Sequence, residues 1–186
     1  MTLFIAGLII FFGAHLFSAL ARDARGNLIS KLGEGPYKGL YSLVSLAGFA
    51  LIIMGWRGAD ASVLYATPLW MRHVTYLLVL IAFILLAAAY LPAGKIAASA
   101  KHPMLAGVKL WALAHLLVNG EVRSVMLFGA FLVFGVIDRI AVKRRDAPMR
   151  AAGPVLNDVI AIGVGIAGYA AVAFYLHRYI AGVALF

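Results

Sequence analysis

Four side chains in apolar surroundings have the types and spacing to do chemistry. His102, Lys109 and His115 all fall in the stretch Lys101-His102-Pro103-Met104-Leu105-Ala106-Gly107-Val108-Lys109-Leu110-Trp111-Ala112-Leu113-Ala114-His115, and His15 lies inside the first apolar run. Charged groups at the centre of a membrane helix cost roughly 2.5–3.5 kcal/mol on insertion scales, so ionisable residues there mark sites and need partners. Neutral imidazole is the commonest metal ligand among side chains. The chain has no cysteine, which removes thiolate sites, thiol nucleophiles and disulfides.

Spacing sorts these residues. His115 follows His102 by thirteen positions, about 20 Å along a helix axis and turned by about 140°, so the two cannot share one metal. His15 lies about twelve residues, or ~18 Å, into its own helix, which makes it the deep partner for His115. Two neutral imidazoles on different helices, facing one another across a planar macrocycle, form a six-coordinate haem site of the kind helical bundles build from inward side chains. The plainer alternative for each histidine is a hydrogen bond to a helix carbonyl. Zinc normally takes three or four protein ligands, and deep carboxylates are missing. Lys109 shares a face with His102, ~10 Å deeper. Snorkelling or an ion pair with Asp138 is the favoured reading, ahead of contact with a carboxylate-bearing cofactor such as a haem propionate. His102 precedes Pro103 at a helix start, where the missing proline N–H costs nothing, and a headgroup or propionate is within its chemistry. His73 and His177 are expected at the outer interface.

The elements that must position these groups are membrane helices. Of 186 residues, 65% are hydrophobic and 12% charged, against about half apolar in soluble domains. Crossing about 30 Å of hydrocarbon takes about 20 residues. Six segments qualify: about Leu3 to Ala21, Tyr37 to Trp56, Leu69 to Leu91, Pro103 to Val118, Ser124 to Ala141 and Val155 to Ile180. The fourth is short and polar, and survives only if the bundle shields it. The expectation is an all-α integral membrane bundle of about six transmembrane helices, forming one domain over residues 1–186. Gly7, Gly13, Ala14, Gly163, Gly165 and Gly168 are the small residues that let such helices approach closely.

The formal charge of +9 reads as a topology signal rather than as a nucleic-acid surface. Eleven Lys and Arg fall in loops one, three and five, and four in loops two and four plus the C-terminal end. That bias places the odd loops in the cytoplasm and both termini in the periplasm of a bacterial inner membrane. The first segment has basic residues after its apolar run rather than before it, unlike a cleaved signal peptide. Lys143-Arg144-Arg145 suits anionic lipid, Trp56, Tyr65 and Trp70 suit an outer aromatic belt, and Asn157 and Asp158 suit capping of the sixth helix. Nucleotide-binding, nucleophile-elbow and HExxH motifs do not occur.

His102-Pro103-Met104-Leu105, Gly107, Lys109-Leu110-Trp111-Ala112-Leu113-Ala114-His115-Leu116-Leu117, Asn119-Gly120, Leu127-Phe128-Gly129 and Asp138-Arg139, with Gly13-Ala14-His15 and Ser18 at the start, together resemble the NnrU family of bacterial membrane proteins over nearly the whole chain. That resemblance implies a link to nitrite and nitric oxide reduction in denitrifying bacteria. The wider group includes the 15-cis-zeta-carotene isomerase of plants and cyanobacteria, an integral membrane b-type haem enzyme understood to hold haem between two histidines. Those positions match His15 and His115. The isomerase's cysteine, three residues before the second histidine, is Ala112 here, so haem ligation carries over while a thiolate switch does not. Lys101-His102-Pro103-Met104-Leu105-Ala106-Gly107 also keeps the histidine, proline and glycine of the Arg-His-Pro-x-Tyr-x-Gly signature of isoprenylcysteine methyltransferases. It lacks their arginine, tyrosine and later glutamates.

Three functions therefore stand as expectations. The first is a haem b protein with His15 and His115 as axial ligands, His102 and Lys109 near its propionates, and a role in nitrogen-oxide metabolism. The second is a haem-dependent cis-trans isomerase of an apolar polyene, and the third a methyltransferase-like or cofactor-free accessory protein. Whether the chain is an enzyme is left open among them. The partners expected are the lipid bilayer and an apolar or small gaseous ligand, with no nucleic acid.

Overall fold

The computed structural model describes residues 1–145 and 150–185, and every regular element among them is helical. The helices are α1 (Thr2–Leu20), α2 (Arg22–Leu32), α3 (Glu34–Trp56), α4 (Met71–Tyr90), α5 (Lys95–Ala100), α6 (Pro103–Leu116), α7 (Val122–Arg144), α8 (Val155–Ala170) and α9 (His177–Ala181), with a π-helical turn at Ala171–Leu176 joining the last two. Among the described residues five stretches are long and apolar enough to cross a membrane: α1, α3, α4, α7 and the run Val155–Ala181. The chain is a multi-pass membrane protein of the all-α class. The expected fourth crossing is the one that differs. Helix α6 has 14 residues, a rise of about 21 Å, less than the hydrocarbon thickness. Loop one also differs, for it contains α2, with Asp23 in its first turn and Lys31 in its last to complement the helix dipole.

The chain forms two compact units. One comprises Met1–Ala66 and the segment from Asn119 through α7; the other comprises Thr67–Val118 with α8, the π turn and α9.

In the first unit α1 runs antiparallel to α3, backbone against backbone. A Cβ on Gly7 would lie 2.5 Å from the Ile52 nitrogen, one on Gly48 would lie 2.6 Å from the Phe11 nitrogen, and one on Gly55 would overlap Phe4. Membrane helices lack a hydrophobic drive to associate, so such contacts stand in for it. Gly13, by contrast, meets nothing within 4 Å. Phe4, Leu8 and Phe12 repeat every four residues along α1 and bury with Ile52 and Ala59, packed by Phe131 and Phe134 of α7. Between α2 and α3, Gly33 has φ +87°, a conformation that favours glycine. The loop from Arg57 to Ala66 is tied to the start of α7. Val63 bridges Glu121, Leu64 N–H donates to Gly120 at 2.8 Å and Val122 N–H to Ser62 at 2.9 Å. A Cβ on Gly120 would overlap the Tyr65 carbonyl, which accounts for glycine in Asn119-Gly120. Trp56, expected in an aromatic belt, ends α3, meets Phe4 edge-on at 5.7 Å and carries the Arg123 guanidinium over its ring at 4.9 Å.

In the second unit α6 runs antiparallel to α4. The Tyr90 hydroxyl meets Met104 Sδ at 3.5 Å near one end, and Thr75 Oγ1 donates to the Ala114 carbonyl at 3.1 Å near the other. Short as it is, α6 carries the chain back along most of α4. Helix α8 packs antiparallel on another side of α4, where a Cβ on Gly165 would lie 2.6 Å from Ile84 Cα. Gly163 meets nothing within 4 Å. Asp158 corrects its expected role: it caps α5, accepting the N–H groups of Lys95 and Ile96 at 2.9 Å each. Asn157 donates to the Ala93 carbonyl, so neither side chain caps α8. Arg150, one of the eleven basic residues of the odd loops, donates to the carbonyls of Ala88 and Ala89 in the last turn of α4 and of Leu91 just after it; the last carbonyls of a helix have no partner within it.

Candidate functional site

His15 stands in the last third of α1, half-buried in the first unit. Its Nδ1 lies 2.7 Å from the carbonyl oxygen of Phe11, one turn earlier. A carbonyl only accepts, so Nδ1 carries the hydrogen, and in the neutral ring Nε2 keeps its lone pair. Three aromatic rings fix the imidazole plane. Phe11 stacks on it at 4.2 Å, Phe134 meets it edge-on at 5.5 Å, and Tyr41 lies at 5.4 Å. The ring lines an open groove of about 470 Å³ shared with Phe11, Tyr41, Ser42, Ser45, Leu46 and Phe49.

His115 is the penultimate residue of α6 in the second unit. Its Nδ1 lies 2.8 Å from the Trp111 carbonyl, again one turn back, and the Trp111 ring is 4.9 Å away. Ala112 and Ala114, three and one residue before it, are fully buried. The two histidines thus repeat one local design, an aromatic residue four positions earlier that supplies both a ring contact and an acceptor for Nδ1. Locking Nδ1–H in this way sets the tautomer in which Nε2 can ligate, the arrangement usual for metal-bound histidine.

His102 caps α6, with Pro103 at its first position, as its sequence context implied. Lys101 before it has φ +61°. Lys109 is half-buried midway along α6. The expected ion pair of Lys109 with Asp138 is not the one formed, because the Asp138 carboxylate receives the Arg145 guanidinium at 3.1 Å, inside the first unit. His177, expected only at an interface, begins α9 directly after the π turn, and its Nδ1 lies 2.7 Å from the Val183 carbonyl. It belongs to the same compact unit as His115. π turns inside helices recur at functional sites. Among the described residues no three His, Asp or Glu side chains converge into a metal-holding group.

The aromatic lining of His15 was outside the reach of spacing arguments, since Tyr41 and Phe134 come from α3 and α7. Phe11 and Trp111 did leave a signal, the shared aromatic-x-x-x-His spacing. No curated protein and no solved structure matches the chain. The family model described as NnrU protein matches residues 3–185, nearly the whole length and both compact units, and the chain belongs to the NnrU family.

Proposed function

We propose that this protein is a membrane-bound haem b protein whose axial ligands are His15 and His115. The observation that carries the reading is the matched pair of Nδ1–carbonyl hydrogen bonds, 2.7 Å at Phe11 and 2.8 Å at Trp111, which set in each neutral ring the tautomer whose Nε2 is the ligating nitrogen. Bound haem supplies an iron centre that changes oxidation state. The chain supplies two imidazoles of fixed tautomer in apolar surroundings, which shield the iron from water and tune its potential. His15 and His115 would hold the haem, and for a gas or other small ligand to be bound there, one of the two imidazoles would have to move away. Together with the resemblance to proteins linked to nitrite and nitric oxide reduction, this supports redox or gas-linked work in nitrogen-oxide metabolism, in a bacterial cytoplasmic membrane with loops one, three and five inside.

A second reading keeps the haem and makes the protein an isomerase of an apolar polyene. The observation that favours it is the groove beside His15, whose rim of Phe11, Leu46 and Phe49 suits a lipid-soluble chain arriving from the bilayer.

The test is the visible spectrum of protein purified from membranes. The expected result is a Soret band in the native chain and its loss or shift to a five-coordinate form in both His15→Ala and His115→Ala, while His177→Ala keeps the native spectrum. A native spectrum in both His15→Ala and His115→Ala defeats the assignment. Loss in His177→Ala with retention in His15→Ala would move the second ligand to His177.

A further inference from the structure

The geometry points to a site for one anionic phospholipid in the first unit, with an acyl chain in the groove on α3 and the phosphate at Arg25. The groove of about 470 Å³ follows one face of α3, where Tyr41, Ser45 and Phe49 recur every four residues. It changes character along its length. Leu46, Phe49 and Phe11 make one end apolar, while Tyr41, Ser42 and Ser45 bring hydroxyls to the other. Leu46 and Phe49 are 62% and 48% exposed on a helix long and apolar enough to cross the membrane. The groove therefore opens sideways onto lipid.

Tyr37 continues the row one turn before Tyr41, about 6 Å along the axis, and there α2 adds a cation. The Arg25 guanidinium carbon lies 5.8 Å from the centre of the Tyr37 ring. Both side chains hold a donor that nothing receives: Arg25 Nε and Tyr37 Oη are buried without a hydrogen-bond partner, and Tyr37 is 7% exposed. Leaving such groups unsatisfied is costly. Glu34, which opens α3, bonds Lys38 at 2.7 Å, and Arg25 forms no ion pair among the described residues. A guanidinium and a phenol in this state match a head that only accepts and is negative. Phosphate oxygens meet both conditions and suit the arginine fork. A phospholipid joins that head to a chain lying along the helix towards Leu46 and Phe49. A neutral polyene fills the apolar end alone and answers neither Arg25 nor Tyr37. The site lies within one compact unit and does not depend on haem.

The experiment titrates the full-length protein in neutral detergent with phosphatidylglycerol or with phosphatidylcholine of the same acyl chains, and counts bound lipid by native mass spectrometry. Native protein is expected to hold one phosphatidylglycerol about tenfold more tightly than phosphatidylcholine, the size of one charge-assisted hydrogen bond. Arg25→Met should abolish that preference and Arg25→Lys should keep most of it. Lys31→Met, which removes an exposed cation from the same α2, should leave it intact. Ser42→Phe narrows the groove from its exposed rim and should weaken both lipids. Equal affinity of native protein for the two lipids would overturn the inference, as would equal losses in Lys31→Met and Arg25→Met, the mark of diffuse surface charge. Undiminished phosphatidylglycerol binding in Ser42→Phe would overturn the placement of the chain, and displacement of the bound lipid by equimolar β-carotene would give the groove to an apolar occupant instead.

Discussion

Replacing Gly48 by alanine tests the close packing that holds His15 in place. A Cβ there would sit 2.6 Å from the Phe11 nitrogen and 2.9 Å from its Cα. Both neighbours are backbone, so no side chain can swing away, and α1 and α3 must separate by about 0.8 Å to reach ordinary contact at 3.4 Å. Overpacking of this kind costs about 1–3 kcal/mol, offset by the ~1 kcal/mol that alanine gains over glycine within a helix. A net loss of up to about 2 kcal/mol corresponds to a fall of up to roughly 8 °C in Tm for a chain of this length. Tryptophan fluorescence during heating of the detergent-solubilised protein reports it directly, because Trp56 packs on Phe4 in this same core. Gly13→Ala is the matched control, since it lies on the same α1 as Phe11 and meets nothing within 4 Å; its Tm should hold or rise. Should Gly48→Ala melt no lower than Gly13→Ala, the argument that the two backbones touch at Gly48 is wrong. Because Phe11 also supplies the acceptor for His15 Nδ1, the haem reading proposed above further predicts weaker haem retention in Gly48→Ala and no such loss in Gly13→Ala.

Three further outcomes are expected. Asp158→Ala removes the cap of α5 and should lower stability by about 1–2 kcal/mol, with faster hydrogen exchange at the Lys95 and Ile96 amides; unchanged exchange there would contradict the capping role. The hydroxyl and amide of Ser62 hold the Asp60 carboxyl below its ordinary value. Its contribution to the loop from Arg57 to Ala66 is therefore present above the ordinary carboxylate range and is lost as pH falls through the lowered value, so Ser62 amide protection should drop in acid in native protein and lose that step in Asp60→Asn. Gly33→Ala places a side chain at φ +87°, ψ 156° and should cost about 1–3 kcal/mol, read as a lower Tm; an unaltered Tm would mean that the α2–α3 joint relaxes freely.

Much of this protein was legible in its residues, and for definite reasons. A membrane helix must satisfy its own backbone and present an apolar surface, so long apolar runs announce themselves locally, and α1, α3, α4, α7 and the Val155–Ala181 run coincide with expected segments. Pro103 likewise marked the start of α6. Partnerships were the obscure part. Lys109 and Asp138 stand at compatible depths by counting, yet Asp138 takes Arg145, seven residues along its own helix. Asp158 looked like a cap for the helix it opens and caps α5 instead, because the turn before α8 lies against Ala93 and Gly94. Trp56 was assigned to an interface by type, and packs on Phe4 and Arg123.

Composition and spacing by themselves determined the membrane class and the helical architecture, and singled out His15 and His115 as candidates, because hydropathy, helical rise and the cost of ionisable groups in hydrocarbon act along the chain. Only the tertiary structure decided which glycines are contact points, since Gly48 and Gly13 differ solely in what stands opposite them. It also decided the surroundings of the imidazoles. The acceptor for each Nδ1 comes from the same helix and left a trace as aromatic-x-x-x-His, but the rings of Tyr41 and Phe134 reach His15 from helices far along the chain, and no local rule specifies which side chains meet once helices pack.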